Sequence, residues 1–579
     1  MPTALVGIGD ASTTRGSSER FAQWPLLAAM GSSGRVQYAG VGANLLRPVS
    51  GAIKLEARTG AFVSAARRAL SLRCATVVVD TGDLERAQHL GSTPRVWGEA
   101  LSNTDRVLSS ISKLLDLKKD LLLVVTPTSS LDVTHLGVAV AVGPGFPPGT
   151  VLESASTRRP GIVTLPDVAP TVLARAGVPQ PAGMTGQTFF SVPAEGDRIT
   201  AASDLDREAV FVDASKFIMS LVLLLAECAL FGVAIAAVRV PFNRAAPSPS
   251  PIPHIVEIAA LVVASLPVAT FLARVFPVTE LSRAGFIGLC LLLDAGVVLL
   301  VSRRTLSPLQ RLGLVAALSL IVILADLMTG AHLQLNSLLG DSPLIAGRFA
   351  GAGNNAFAIL AATAAICGTL LVQQKGRTPA TLIQVALLFA AVILVDGAPQ
   401  LGSDVGGVLA LVPGFAVVWM LLAGKGISPK VVALGFIAAI FFAGVFIAID
   451  VARPAQQRTH LGRFFEDIRS RGGSAFVETV ERKAASNLRE AGSLENLDLF
   501  LPPAVVTFWF LFWPPAWWRR FGFEQPLLRA GSVGAVVVAF LGSALNDSGI
   551  TIFTTMLLFL GPMAILIRLF PESPDPPSL

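Results

Sequence analysis

The chain has 579 residues, of which 53% are hydrophobic and only 15% charged, and its mean hydropathy is +0.65. That balance excludes an ordinary soluble protein. The formal net charge is +6 and the pI about 9.4, but 16 of the 45 basic residues sit in short loops between apolar stretches. They therefore report membrane topology, and no nucleic-acid partner is implied.

Residues 1–210 form a region without spanning stretches. Ala4–Gly9 reads as a buried strand, as do Thr76–Val79, Leu121–Val125 and Val138–Val142, which are short, apolar and bounded by turn residues. Asp105–Leu117 carries apolar residues at helical spacing. Strands alternating with helices predict an α/β domain with a mostly parallel sheet covered on both faces. Cys74 is the only cysteine in this region, so no internal disulfide is available to it.

Three strings here carry a family resemblance: GPGFPPG at Gly143–Gly149, STRRPGIVTLPDVAPTVLARAGVPQP at Ser156–Pro181, and MTGQ at Met184–Gln187. Together they resemble the C-terminal part of the alkaline phosphatase superfamily, which includes sulfatases and cofactor-independent phosphoglycerate mutases. The resemblance spans about residues 75–190 and implies an α/β fold. Asp167 is expected to cap a helix whose first turn holds Pro170.

Active members hold two divalent metals with Asp and His, including an Asp-His pair just after the strand corresponding to Leu121–Val125. Here that position reads Thr126-Pro127-Thr128-Ser129-Ser130. Asp83 and His89 form a second, wrongly spaced pair, and Asp10 follows the first strand. Two-metal chemistry needs most of its ligands together. No metal or cofactor is assigned, and the domain is read as partial or degenerate, retained for binding or scaffolding. Arg158 and Arg159 are candidate grips for phosphate or glycan, although a solvated pair is the commoner meaning of such a doublet.

Residues 211–579 read as an all-α polytopic membrane domain. Eleven apolar stretches mark it: Phe217–Val238, Ile255–Ala273, Ala284–Ser302, Leu312–Thr329, Ala356–Val372, Ala380–Val395, Gly407–Ala423, Val431–Ile449, Pro503–Trp518, Ala530–Leu545 and Ile550–Ile567. One side's short loops hold Arg239, Arg244, Arg303, Arg304, Arg311, Lys375, Arg377, Lys425, Lys430, Arg519, Arg520, Arg529 and Arg568. The other side's hold only Arg274, Arg283 and Arg348. Thirteen against three makes the first side, and the C-terminus, cytoplasmic. The N-terminal domain is then extracytoplasmic; because no signal peptide precedes the Ala4–Gly9 strand, either the start lies upstream of Met1, the favoured alternative, or the orientation is the reverse. Val451–Leu501 becomes a long external loop. Leu461–Ile468 and Phe476–Leu488 within it have the spacing of amphipathic surface helices.

The polar residues of the membrane domain are concentrated on that external side. Arg348, Asn354, Asn355, Asp396, Asp404, Asp450, His460, Arg463, Asn546 and Asp547 all lie at or just beyond segment ends there. Such residues are costly near hydrocarbon unless they pair, meet water or bind something. Arg348 and Arg463 suit a diphosphate, whose oxygens match the guanidinium fork. His460, Asp396 and Asp404 are candidate bases for an acceptor hydroxyl. Asn354, Asn355, Asn546 and Asp547 are candidates for orienting substrate. The bland meanings are helix caps and tight turns, as at Gly402–Gly407.

NSLLGDSPLIAGRFAGAGNNAF, VDGAPQLGSDVGGVLALVPG, RTHLGRF and NDSGI resemble a family of uncharacterised polytopic membrane proteins of Gram-positive bacteria, actinobacteria among them. That family joins the same degenerate domain to the same membrane core, and the resemblance covers nearly the whole chain. Locally, Arg348-Phe-Ala-Gly351 followed by Gly353-Asn-Asn355 is similar to O-antigen ligases and related glycan polymerases, which act on polyprenyl-diphosphate-linked glycans. The expected function is transfer or processing of lipid-linked envelope glycan at the outer face, with membrane lipid as the other partner. A metal-dependent phospho- or sulfo-hydrolase is a second reading. A third, a transporter or flippase, is suggested by Glu227, Asp294 and Asp326 within the spans. The sequence carries no signal of oligomeric state.

Overall fold

Short β-branched runs become strands in the first third of the chain, and long apolar runs become helices in the rest. The structure, a computed structural model, describes residues 4–8, 37–38, 45–49, 55–72, 75–89, 93–126, 134–181, 184, 186–239, 252–345, 348–453, 525–545 and 549–570, with isolated residues between 458 and 481. It comprises two units, Met1–Asp206 and Arg207–Leu579.

In the first unit, β1 (Ala4–Ile8) lies between β2 (Gln37–Tyr38) and β5 (Ala75–Val79), parallel to both. Strands β3 (Leu46–Pro48) and β4 (Leu55–Ala57) form an antiparallel pair. Helix α1 (Thr59–Leu70) buries Phe62, Ala65, Ala66 and Ala69 against Leu45 and Ala57. The short helix α2 (Asp83–His89) is followed by α3 (Pro94–Ser112), which adds Val107 and Ile111 to that core. The helix expected at Asp105–Leu117 is the second half of α3 as far as Ser112, and residues 113–117 lie beyond its end. It starts earlier because Thr93 accepts a cap bond from the Val96 amide with Pro94 in the first turn.

The expected parallel sheet is only partly realised. Strands β6 (Leu122–Val125) and β7 (Ala139–Val142) pair antiparallel, and so do β8 (Thr150–Ser154) and β9 (Phe189–Pro193). Val140 and Val142 of β7 stay exposed. Antiparallel pairs tolerate one solvated face, whereas a parallel sheet is covered on both.

Asp167 stands at the N-cap position of α4 (Val168–Arg175), but its side chain makes no capping bond to that helix. Its buried carboxylate accepts the Ser154 and Ser156 hydroxyls at 2.7 and 2.6 Å and the Thr164 and Gln187 amides at 2.9 and 2.7 Å. Thr171 extends the knot, donating to the Asp167 carbonyl and accepting the Phe189 amide. Asp and Thr of the Asp-Val-Ala-Pro-Thr string are therefore structural here. Asp83 is similar: buried, it accepts the Ala57 amide, Asn103 Nδ2 and Arg86.

The second unit is helical. In order come α5 (Arg198–Arg239, in this unit from Arg207), α6 (Ile252–Leu272), α7 (Arg283–Val301), α8 (Pro308–Met328), α9 (Asn354–Lys375), α10 (Pro379–Gly397), α11 (Val405–Leu422), α12 (Pro429–Val451), α13 (Pro526–Leu545) and α14 (Gly549–Leu569). Among the described residues, ten helices are long and apolar enough to cross a membrane, so the chain is a multi-pass membrane protein. The eleventh expected span, Pro503–Trp518, lies outside the described residues, as does most of the external loop with its two expected surface helices.

Several helices start with a hydroxyl cap followed by proline. Ser307, Thr378 and Ser428 accept the amides of Gln310, Thr381 and Val431, and Pro308, Pro379 and Pro429 stand in the first turns. Glycines then set the helix spacing. Gly313 of α8 meets Leu370 of α9, and Gly368 of α9 meets Val385 and Phe389 of α10. Gly531 and Gly542 of α13 lie against Thr369 and Phe357 of α9, while Gly414 of α11 lies against Val538. Gly397 of α10 admits Phe446 of α12. The pairings of α9 with α8, α10 and α13, and of α11 with α13, run antiparallel, whereas α10 and α12 run parallel. One end of the bundle therefore collects the C-termini of α8, α10, α12 and α13 with the N-termini of α9, α11 and α14.

Candidate functional site

That end is built from irregular backbone whose amides and carbonyls are satisfied by buried side chains. Asp326, at the end of α8, accepts the Leu333 amide on one carboxylate oxygen (2.7 Å). Its other oxygen takes the Gln334 amide and Nε2 (3.2 and 3.1 Å). Gln334 in turn accepts the Gly353 amide at 3.0 Å, where α9 begins. Asp326, expected inside the membrane and away from an outer-face site, thus belongs to this end as a loop anchor. Asp450, at the end of α12, is equally committed, accepting the amides of Thr459 and Gly462 and the Thr459 hydroxyl.

Arg348 joins two loops. It donates to the Ala352 carbonyl and to the Gly402 carbonyl (3.4 Å), and its Nη2 lies 3.9 Å from Asp404 Oδ1. The Ala352 amide also donates to Gly402 O at 2.8 Å. Residues 398–404 fold back over the end of α10: the Gly402 amide reaches Val395 O, and the Asp404 amide reaches Asp396 O at 2.9 Å. Ser403 takes a left-handed backbone at φ 53°. The turn expected at Gly402–Gly407 exists, but it is closed. Asp396, Ser403 and Asp404 are 0%, 2% and 3% exposed.

Two residues that sequence reasoning passed over complete the site. Lys216, on α5, points Nζ at the Gly340 carbonyl (3.5 Å) and lies 3.8 Å from Asp213 Oδ1. Asp341 follows Gly340 and sets its Oδ2 against Gly353 at the start of α9, which leaves no room for a Cβ there. Burial pushes the Asp341 carboxyl up, and the charges of Arg348 and Lys216 pull it partly back. The Lys216 and Arg348 side chains keep 24% and 26% exposure. The one available signal was Lys216 itself, a cation at the border of an apolar stretch beginning at Phe217.

Of the expected site residues, the structure gathers Arg348, Asp396 and Asp404. Asn354 is the first residue of α9, with Gly353 as its cap. Asn355 donates to Leu339 O at 2.7 Å and accepts Thr555 of α14 at 2.8 Å, so it ties loop to helices. His460, Arg463, Asn546 and Asp547 lie outside the described residues. In the first unit, Arg158 adopts φ 54° and Arg159 is buried rather than solvated. Among the described residues, no three His, Cys, Asp or Glu side chains gather as metal ligands. No protein-family model, curated protein or solved structure matches the chain.

The raised Asp341 carboxyl has a consequence for stability. The folded state holds that proton more tightly than the unfolded chain does, so its advantage is complete at low pH. The advantage is lost as pH climbs from the ordinary carboxylate value, about 4, through the raised one. Asp341→Asn should match the wild type in melting temperature near pH 4 and exceed it near neutrality. Melting curves of the detergent-purified protein across that range check the sign. A variant less stable at neutral pH would show that its charged form is favoured by the fold.

Proposed function

We propose that this multi-pass membrane protein works in the cell envelope on a lipid-linked, phosphate-bearing glycan, at the bundle end built by residues 329–353 and 398–404. One observation carries the reading: the charges of two partly exposed cations, Lys216 and Arg348, both act on the buried Asp341 carboxyl, and Lys216 reaches the carbonyl of the preceding Gly340. A planar guanidinium and a point-charge ammonium are the usual pair for phosphate oxygens. A carboxyl with a raised pKa suits proton removal from an acceptor hydroxyl. Leaving diphosphate is stabilised by the cations, so an activated lipid-linked donor supplies the driving force. Asp396 and Asp404 are buried beside Arg348, with Asp404 Oδ1 3.9 Å from its guanidinium. Thirteen basic loop residues against three support an external position for this end.

For the first unit we propose a binding or scaffolding role on an alkaline-phosphatase-like fold. This is supported by the commitment of Asp83 and Asp167 to structural hydrogen bonds. Transport is the second reading, favoured by Asp294, which is buried in α7 and accepts the Ser265 hydroxyl of α6 at 2.5 Å.

Two experiments test the reading. In nanodiscs, Arg348→Ala and Lys216→Ala should each weaken binding of a polyprenyl diphosphate by about tenfold or more. Arg348→Lys should be nearly as weak as alanine, because it keeps charge but loses the fork. Wild-type binding by Arg348→Lys and Lys216→Ala would end the glycan reading; loss of function in Asp294→Asn with a silent Arg348→Lys would favour transport. For orientation, a cysteine at the exposed Ile345 should react with an impermeant reagent in whole cells, and one at the exposed Thr305 only after permeabilisation. The reverse pattern would turn this end towards the cytoplasm.

A further inference from the structure

Beneath the loop that closes over α10 lies a group of oxygens that the reading above does not use. Asp396 Oδ1 and Oδ2, Ser403 Oγ and Asp404 Oδ2 are all buried, and none has a hydrogen-bond partner among the described residues. Elsewhere at this end of the bundle the buried carboxylates of Asp326 and Asp450 are filled by amides and hydroxyls. Unpaired buried oxygens are costly, and a carboxylate with none of its lone pairs used is the most costly kind.

One oxygen of each carboxylate converges on Gly407: a Cβ there would collide with Asp396 Oδ2 and stand 2.9 Å from both Asp404 Oδ2 and the Phe357 ring. Ser403 precedes Asp404 directly in the same buried turn. Glycine at 407 therefore leaves the space into which both carboxylates point. The backbone holds the group rigidly, since the Asp404 amide is tied to Asp396 O and the Ser403 amide to Ala398 O. Asp396 is in the last turn of α10, where the negative end of the helix dipole favours positive charge.

We propose that Asp396, Ser403 and Asp404 bind one monovalent alkali cation. Hard oxygen donors at a helix C-terminus, next to irregular backbone inside a helix bundle, are the surroundings such ions take in membrane proteins. The charge sets the valence: two carboxylates face one guanidinium, Arg348, at 3.9 Å from Asp404, and the remainder is one negative charge. A shared proton would join two of the four oxygens and leave the others unpaired. The bound cation would lock residues 398–404 onto α10, and through Gly402 O would steady Arg348.

The test uses the full-length protein in detergent and reads thermal unfolding, not lipid binding, so its failure is separable from failure of the glycan reading. Melting temperatures are compared in NaCl, KCl and N-methylglucamine chloride at equal ionic strength. Wild type should melt higher in one or both alkali salts, by about 2 °C or more at saturation, with a saturating dose dependence. Ser403→Ala should raise the half-saturating concentration several-fold, and Asp396→Asn should abolish the alkali-specific shift. Equal melting in all three salts overturns the proposal, as does a shift that survives both substitutions. Saturable stabilisation by magnesium or calcium in preference to sodium and potassium also overturns it. Should Asp396→Asn fail to fold, Ser403→Ala decides alone, because it removes only one oxygen.

Discussion

Irregular backbone at the end of a membrane helix bundle must find its hydrogen-bond partners inside the protein, and that constraint organises this molecule. Asp326, Gln334, Arg348 and Asp450 meet it by hydrogen-bonding the loop amides and carbonyls that no helix can take. Glycines at 340, 351, 353 and 402 let the loops come close enough, since a Cβ at any of them would collide with backbone or carboxylate. The same close fit brings Lys216, Asp341 and Arg348 onto one surface and traps Asp396 and Asp404 below it.

A division of labour follows among the acids. Asp326 and Asp450 are spent on structure. Asp341 is held between two cations and keeps a raised pKa. Asp396 and Asp404 lie deeper and have oxygens to spare. Groups with unspent capacity are the ones free to bind a ligand, whereas satisfied groups build the frame that holds them.

The membrane architecture was legible because hydrophobic length and proline-hydroxyl starts, as at Ser307-Pro308 and Thr378-Pro379, are written locally. Arg348, Asp396 and Asp404 were legible as polar residues at segment ends on one side. Lys216 and Asp341 were not, because their meeting depends on helix α5 approaching a loop more than a hundred residues later. Asn355, a candidate for orienting substrate or capping a helix, bridges Leu339 and Thr555, a link that only three-dimensional packing reveals. In the first unit, strand positions were readable, but pairing direction in β6–β7 was not, since a short apolar run looks alike in either sheet type.

On the proposed function, this bundle end receives the phosphate group of a membrane lipid-linked substrate. The most direct measurement is an electron cryo-microscopy map of the full-length protein in nanodiscs supplied with a polyprenyl diphosphate. Headgroup density is expected within hydrogen-bonding distance of both Lys216 and Arg348, with Asp341 beside it. A lipid headgroup bound elsewhere, with clear density for bare Lys216 and Arg348 side chains, would contradict that proposal.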